Sequence, residues 1–335
     1  VNHKINEKVI NNILDFSGDP ESEEQTWSRK GLVMGNVQSG KTLNYLGLIN
    51  KSIDIGYKAI ILLGGHLSNL RSQTQERVDH DVIGRQTIIE EKKYSAGDNR
   101  IGVLRGAGGR DERHKIFSLT SAKDDFKRTI AENTRIEFSD LPIIFVVKKQ
   151  HIILKNLYNW ILSQHNINLG KNKRIKQPLL FIDDECDFAT LNTKKKLSKA
   201  TTSTNYAIRR ILNLFDKFSY VGYSATPFGN IFIDPEAPET VKVKKDGEDI
   251  YETIGKDLFP RNFMIKTASP KNYMGHYRYY IDHDENDPAS PVQIIPDEDM
   301  NEYQILPLTG QKQETPVNDL SAKSTKATPL DIDVC

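Results

Sequence analysis

Cysteine is nearly absent from the chain: Cys186 and Cys335 are the only two in 335 residues. Two thiols build neither a disulfide framework nor a cysteine-based zinc site, which excludes the small stapled scaffolds and the zinc-finger class. Charge of one sign is not in excess either. Forty-six Lys and Arg stand against 45 Asp and Glu, a formal charge of +1, so no global field draws the chain to nucleic acid or anionic lipid. Any such contact must come from a local patch. Long hydrophobic runs are also missing: Ala59–Leu63 and Ile143–Val147 are far too short to span a bilayer. No charged-then-apolar leader opens the chain, so the expectation is a reduced, cytoplasmic protein with no membrane partner. Internal repeats are lacking.

What is present is a length that allows about two domains and a core hiding roughly 75% of the unfolded surface. Short apolar runs of strand length recur at Gly31–Met34, Ala59–Leu63, Ile143–Val147, Leu179–Ile182 and Tyr220–Tyr223. Continuous rather than alternating runs suit strands buried on both faces, so the expected fold class is α/β, a mostly parallel sheet with helices on both faces. Tyr206–Phe215 carries a helical period through Ile208, Ile211, Leu212 and Phe215, with Ser203 or Thr204 placed to cap it. From about Asp282 the character changes. Pro288, Pro291, Pro296, Pro307, Pro316 and Pro329 stand there among acidic and Ser/Thr residues, which reads as a linker or poorly ordered tail over 282–335. That tail, and a start at Val1 without an initiator Met, suggest a piece of a longer protein.

Each apolar run ends in polar or flexible residues, and ligands of open α/β sheets bind just beyond the carboxyl ends of the strands. The first exit, Gly35-Asn36-Val37-Gln38-Ser39-Gly40-Lys41-Thr42, satisfies the phosphate-loop pattern between a strand and a helix carrying Leu43, Leu46 and Ile49. Glycines let successive N–H groups turn inward as an anion nest, reinforced by the helix start. The nucleotide-binding set is therefore Gly35, Gln38, Ser39, Gly40, Lys41 and Thr42, with Lys41 on the β- and γ-phosphates and the Thr42 hydroxyl on Mg²⁺. Gln25 and Trp27, just upstream, are candidates to read or stack on a base.

The fourth exit is Asp183-Asp184-Glu185-Cys186-Asp187. A buried strand delivering adjacent carboxylates supplies one to a metal and one to the attacking water, since consecutive side chains diverge. Asp184 is assigned to the metal and Glu185 to the water; a slip to Asp183 and Asp184 stays open. Cys186 reads as a small buried residue, because acidic neighbours raise a thiol's pKa. The implied cofactors are ATP and Mg²⁺.

Gly-Lys-Thr, then Asp-Glu-Cys-Asp, then Ser224-Ala225-Thr226-Pro227, each after a strand and in this order, resemble the first motor lobe of superfamily 2 helicase-like ATPases. Longer strings, Gly31–Thr42, Leu62–Asp79, Phe181–Asn192, Tyr223–Asp234 and Asp257–Phe263, resemble the ATPase portion of bacterial Z1-domain proteins, a family labelled putative endonuclease and associated with restriction-modification or phage defence. The resemblance covers roughly Gly31 to Tyr280. It implies a RecA-like P-loop NTPase lobe over 29–233, preceded by a helical lead-in at 1–28 and followed by the start of the Z1-type region at 234–281. It further implies that Ser224 and Thr226 couple nucleotide state to movement between lobes, and that Ser68, Asn69, Arg71, Lys148 and Lys149 touch a nucleic-acid backbone. The partners implied are DNA, with RNA as the alternative, a second motor lobe, and methyltransferase or nuclease proteins.

Two elements of that scheme are missing from the residues. Gly109–Arg113 imitates the core of an arginine-finger motif but precedes the acidic motif and lacks its leading Gln, so it reads as a charged loop. Without a finger, ATP turnover by this chain alone is expected well below about 1 s⁻¹. No second carboxylate cluster with a metal-nuclease pattern appears; Asp246–Asp249 and Asp282–Asp287 have no clear partner. Basic clusters at Lys171–Lys176 and Lys194–Lys199 read as solvated loops, and His66, His151 and His165 as surface or hydrogen-bonded core residues. The competing functions are a small-molecule phosphotransferase and a nucleotide-gated binding module without turnover.

Overall fold

Alternation inside each apolar run decides the layering of the molecule. The computed structural model gives, in chain order, α1 (Asn2–Phe16), β1 (Trp27–Met34), α2 (Lys41–Asp54), β2 (Ala59–Leu63) and α3 (Ser68–Val78), the last continuing into a π-helical turn, Asp79–Ile83. Next come β3 (Arg85–Glu90), β4 (Lys93–Arg100), β5 (Phe117–Ser118), α4 (Arg128–Asn133), β6 (Ile143–Val147) and α5 (His151–Gln164). The remainder is β7 (Leu179–Asp184), α6 (Ser203–Leu212), β8 (Lys217–Ser224), α7 (Phe228–Ile231), β9 (Thr240–Lys245), β10 (Glu248–Thr253) and β11 (Phe263–Lys266). The structure describes residues 2–37, 39–105, 116–134, 136–139, 141–164, 174–191, 202–237, 239–245 and 248–267, all within the unit Val1–Gly275.

Among the described residues, seven strands form one all-parallel sheet in the order β11-β1-β8-β7-β2-β6-β5. In β2 the side chains of Ala59, Ile61 and Leu63 enter one core and those of Ile60 and Leu62 the other; Ile143, Phe145 and Val147 divide from Ile144 and Val146 in the same way. Helices α5 and α6 cover the first face through Leu157, Trp160, Ile208 and Ile211. Helices α1 and α2 cover the second through Ile10, Ile13, Tyr45 and Ile49. This is an α/β fold, its all-parallel sheet wrapped on both faces by helices.

Ala59–Leu63 and Ile143–Val147 are strands over the bounds read from the sequence, whereas β1, β7 and β8 run beyond their apolar centres. Helix α6 starts at Ser203, so Ser203 and Thr204 lie in its first turn and do not cap it; Thr202 is the N-cap residue, and its Oγ1 donates to Leu191 O. The domain bounds also shift. Trp27 and Ser28 already belong to β1, and β11 joins the sheet beside β1 although it lies beyond residue 233. The tail 282–335, Gly109–Arg113, Lys194–Lys199 and His165 lie outside the described residues.

Candidate functional site

Strand order places the chemistry. Strand β8 lies between β1 and β7, so the phosphate loop and the acidic motif stand two strand spacings apart, roughly 10 Å, with Ser-Ala-Thr between them. Met34 is level with Ser224, and Asp184 with Tyr223, so all three exits open at one height. Beyond them lies a cleft of about 1030 Å³ lined by Ser39, Lys41, Thr42, Asp184, Glu185, Asp187, Ser224 and Thr226.

Gly35 opens the loop, its N–H donating to Ser224 O at 3.1 Å. A Cβ there would lie 2.5 Å from Thr267 Oγ1, so only glycine lets the chain pass the end of β11. Gly40 closes the loop in the left-handed region (φ 90°) and starts α2, where Asn44 N donates to its carbonyl. The helix is pinned to β8 by Tyr223 OH, which donates to Asn44 Oδ1 at 2.8 Å. Lys41 Nζ bends back to the carbonyls of Gly35 (3.1 Å) and Asn36 (2.8 Å). Burial lowers its pKa, while Asp184, Asp187 and Glu185 raise it, so all three carboxylates act on this ammonium. Ser39 Oγ is buried and has no hydrogen-bond partner among the described residues. Gln38 lies outside the described residues.

The acidic turn separates its carboxylates by job. Asp183 is fully buried, 2.7 Å from Lys149 Nζ, and accepts from Thr190 Oγ1 and Tyr220 OH. It faces the core and does not line the cleft. Asp184 and Glu185 line the cleft. Burial, with the Glu185 charge adding to it, pushes Asp184 up to about 6 against the pull of Lys149 and Lys41. Glu185 is in the left-handed region at φ 54°. Cys186 is buried and its thiol is pushed well up by that burial, in keeping with a packing residue.

Two cleft residues were given no role by the sequence. Asp187 accepts from Ser224 Oγ at 2.7 Å and Thr226 Oγ1 at 2.6 Å, locking the acidic turn to the Ser-Ala-Thr exit. Its signal was the last position of the Asp-Glu-x-Asp box. His66, expected at the surface or in the core, lies in the cleft; its Nδ1 is 4.0 Å from Glu185 Oε2 and its ring rests on Phe188 at 4.5 Å. Its position just past β2, at the same sheet edge, was the available signal.

Other expectations need correction. Lys149 is buried and paired with Asp183, so it is withdrawn from any nucleic-acid surface. Arg71 is also buried; its Nη2 donates to Ala122 O at 2.7 Å and its Nη1 to Val146 O. Ser68 and Asn69 are exposed, and Lys148 Nζ reaches Ser68 Oγ at 3.1 Å. Trp27 is buried at the opposite end of β1, edge-on to Tyr57, so neither it nor Gln25 is beside the cleft. A second cavity of about 430 Å³ opens at that end, but its Lys30 Nζ already donates to the carbonyls of Lys256 and Asp257.

Magnesium suits the cleft's donors: a hard cation takes one carboxylate, a hydroxyl and phosphate oxygens, keeping several waters. Thr42 and Asp184 supply that set. Among the described residues no group of three His, Cys, Asp or Glu side chains forms an all-protein metal cage. No described helix is long and apolar enough to cross a membrane.

No protein-family model and no curated protein matches the chain. Among solved structures it is similar to the helicase domain of Pyrococcus furiosus Hef, at 14% identity and a TM-score of 0.34 over 65% of this chain. The match covers 32% of that structure, so this chain spans about a third of its length.

Proposed function

We propose that the cleft binds ATP with Mg²⁺ and hydrolyses it as the nucleotide lobe of a DNA-acting, helicase-like protein of the Z1 type, in restriction or phage defence. The observation that carries this reading is the meeting of Lys41 with Asp184, Glu185 and Asp187 in one cleft beside Ser224 and Thr226. Lys41 would leave the Gly35 and Asn36 carbonyls for the β- and γ-phosphates. The loop N–H groups and the start of α2 hold the phosphate oxygens. Thr42 and Asp184 would hold the Mg²⁺, which would neutralise charge on the phosphates. Glu185 takes a proton from a water whose oxygen bonds to the γ-phosphorus. The bond from that phosphorus to the bridging oxygen breaks, and ADP keeps the electron pair. Asp187, through Ser224 and Thr226, transmits the nucleotide state to the next exit of the sheet.

Contact with DNA falls to Ser68, Asn69 and Lys148, which stand together at the ends of β2 and β6. A second motor lobe supplies the arginine finger, and methyltransferase or nuclease proteins act alongside. Among the described residues Arg77 is the one arginine lining the cleft. The test is ATP hydrolysis by the full-length protein with and without DNA. Hydrolysis stimulated by DNA and lost in Glu185→Gln supports the reading; transfer to a small acceptor, or binding without turnover, contradicts it. DNA affinity should fall with salt at a log–log slope near −0.9 per phosphate contact.

A further inference from the structure

Lys149 does more than neutralise Asp183. Besides the contact with that carboxylate, its Nζ donates to Asp184 O at 2.7 Å, Glu185 O at 2.7 Å and Phe188 O at 3.2 Å. These carbonyls span the turn that carries Glu185. That turn holds two non-glycine residues in the left-handed region, Glu185 at φ 54° and Ala189 at φ 58°. Such a backbone is strained and persists only where its surroundings over-determine it. A cation at the centre of converging carbonyls is such a determinant: it fixes where each peptide plane faces and therefore where the Glu185 side chain leaves the chain. The backbone N–H of Lys149 donates to Gly65 O at 2.9 Å, which ties the lysine to the loop carrying His66. Glu185 and His66 are thereby set against each other across the cleft, 4.0 Å apart, through one lysine.

We infer that Lys149 is the positioning residue for Glu185: its buried ammonium organises the strained turn so that the carboxylate faces the water it deprotonates. This rests on the hydrolytic reading of the cleft. Lys149 touches neither nucleotide nor water; it acts through the backbone. A hydrophobic residue at 149 would leave Asp183 as an unpaired buried charge and endanger the fold, so the variant to build is Lys149→Met with Asp183→Asn, which removes the charge pair together. Lys149→Arg is the second variant. It keeps the charge opposite Asp183, but its planar fork does not converge on carbonyls as an ammonium does.

The experiment measures ATP binding and single-turnover hydrolysis in the full-length protein, with rates expressed per ATP-binding site and Glu185→Gln as the reference. The expected result is ATP affinity within about threefold of wild type in both variants. The hydrolysis rate falls about 10²-fold in the double variant and more than about tenfold in Lys149→Arg, the size of loss that a misplacement of about 1 Å produces. Adding Glu185→Gln to the double variant costs little more, because both changes remove one function. Per-site hydrolysis within fivefold of wild type in either variant overturns the inference. Loss of ATP binding in both variants also overturns it, showing Lys149 to be a cation of the fold alone. Wild-type protein that takes up ATP but does not hydrolyse it removes the hydrolytic reading itself, and with it the step being positioned.

Discussion

Asp79 shows how much a single buried carboxylate decides. It lies at the start of the π-helical turn, accepting from Thr87 N, Thr87 Oγ1 and Gln75 Nε2. Three donors do not repay its burial, which pushes it up to about 6. Between about pH 4 and 6 the folded protein therefore keeps a proton that the unfolded chain, near 3.9, has released. The sign follows: stability owed to this residue falls as pH rises through that window, by about 3 kcal/mol across it. Asp79→Asn should remove this slope. Urea unfolding at pH 4.5 and 6.5 checks it: wild type loses stability relative to the variant at the higher pH, and parallel curves would show that Asp79 titrates normally. At the same scale, Lys149 and Arg71 show why nucleic-acid contacts were misread. A lysine or arginine at a strand exit has the same letter whether it points to solvent or folds back on carbonyls. Only the closure of the acidic turn and of the segment at Ala122 distinguishes the cases. That Lys41, Thr42, Asp184 and Glu185 would come together at one edge of the sheet was legible, because each follows directly from the end of a strand, β1 or β7.

At the scale of the element, the parallel strands were the readable part. Their residues are apolar on both faces, and β2 and β6 end where the run ends. The hairpin of β3 and β4 was not readable. Its two-residue turn places Glu91 at φ 47° and Lys92 at φ 59°, the conformation usually marked by Asn-Gly, with neither residue present. The partnership of β11 with β1 was equally silent, because pairing across more than two hundred residues leaves no local trace. The phosphate loop offers the prediction at this scale. Gly40→Ala forces a Cβ into the left-handed region, at a cost of about 1–2 kcal/mol. Alanine escapes that strain by leaving the loop geometry, which nucleotide binding must then restore, so ATP affinity should drop by roughly tenfold, read by titration; an unchanged affinity would show that the loop does not need that backbone.

Across the whole molecule, an aromatic cluster lies on one face of the sheet, and on the other packs α2, whose first turn opens onto the cleft at the sheet's edge. Trp160 is fully buried, with ring centroids 5.9 Å from Phe126 and 5.6 Å from Phe145. Trp160→Ala should lower stability by about 3–5 kcal/mol in chemical denaturation. The ATP affinity of the protein still folded should not change, because α5 lies on the face opposite α2. Weakened affinity at constant folded fraction would contradict the division of the core into two separate faces.

The central claim is the meeting of one ammonium and two carboxylates around a nucleotide, and calorimetric titration of full-length protein with Mg²⁺ and a non-hydrolysable ATP analogue tests it most directly. The account predicts saturable binding at one site per chain in wild type and in Glu185→Gln, and binding weakened at least about 10²-fold in Lys41→Ala, as expected when a charged phosphate contact is lost. Wild-type protein that takes up no nucleotide, or Lys41→Ala that binds as tightly as wild type, would contradict it.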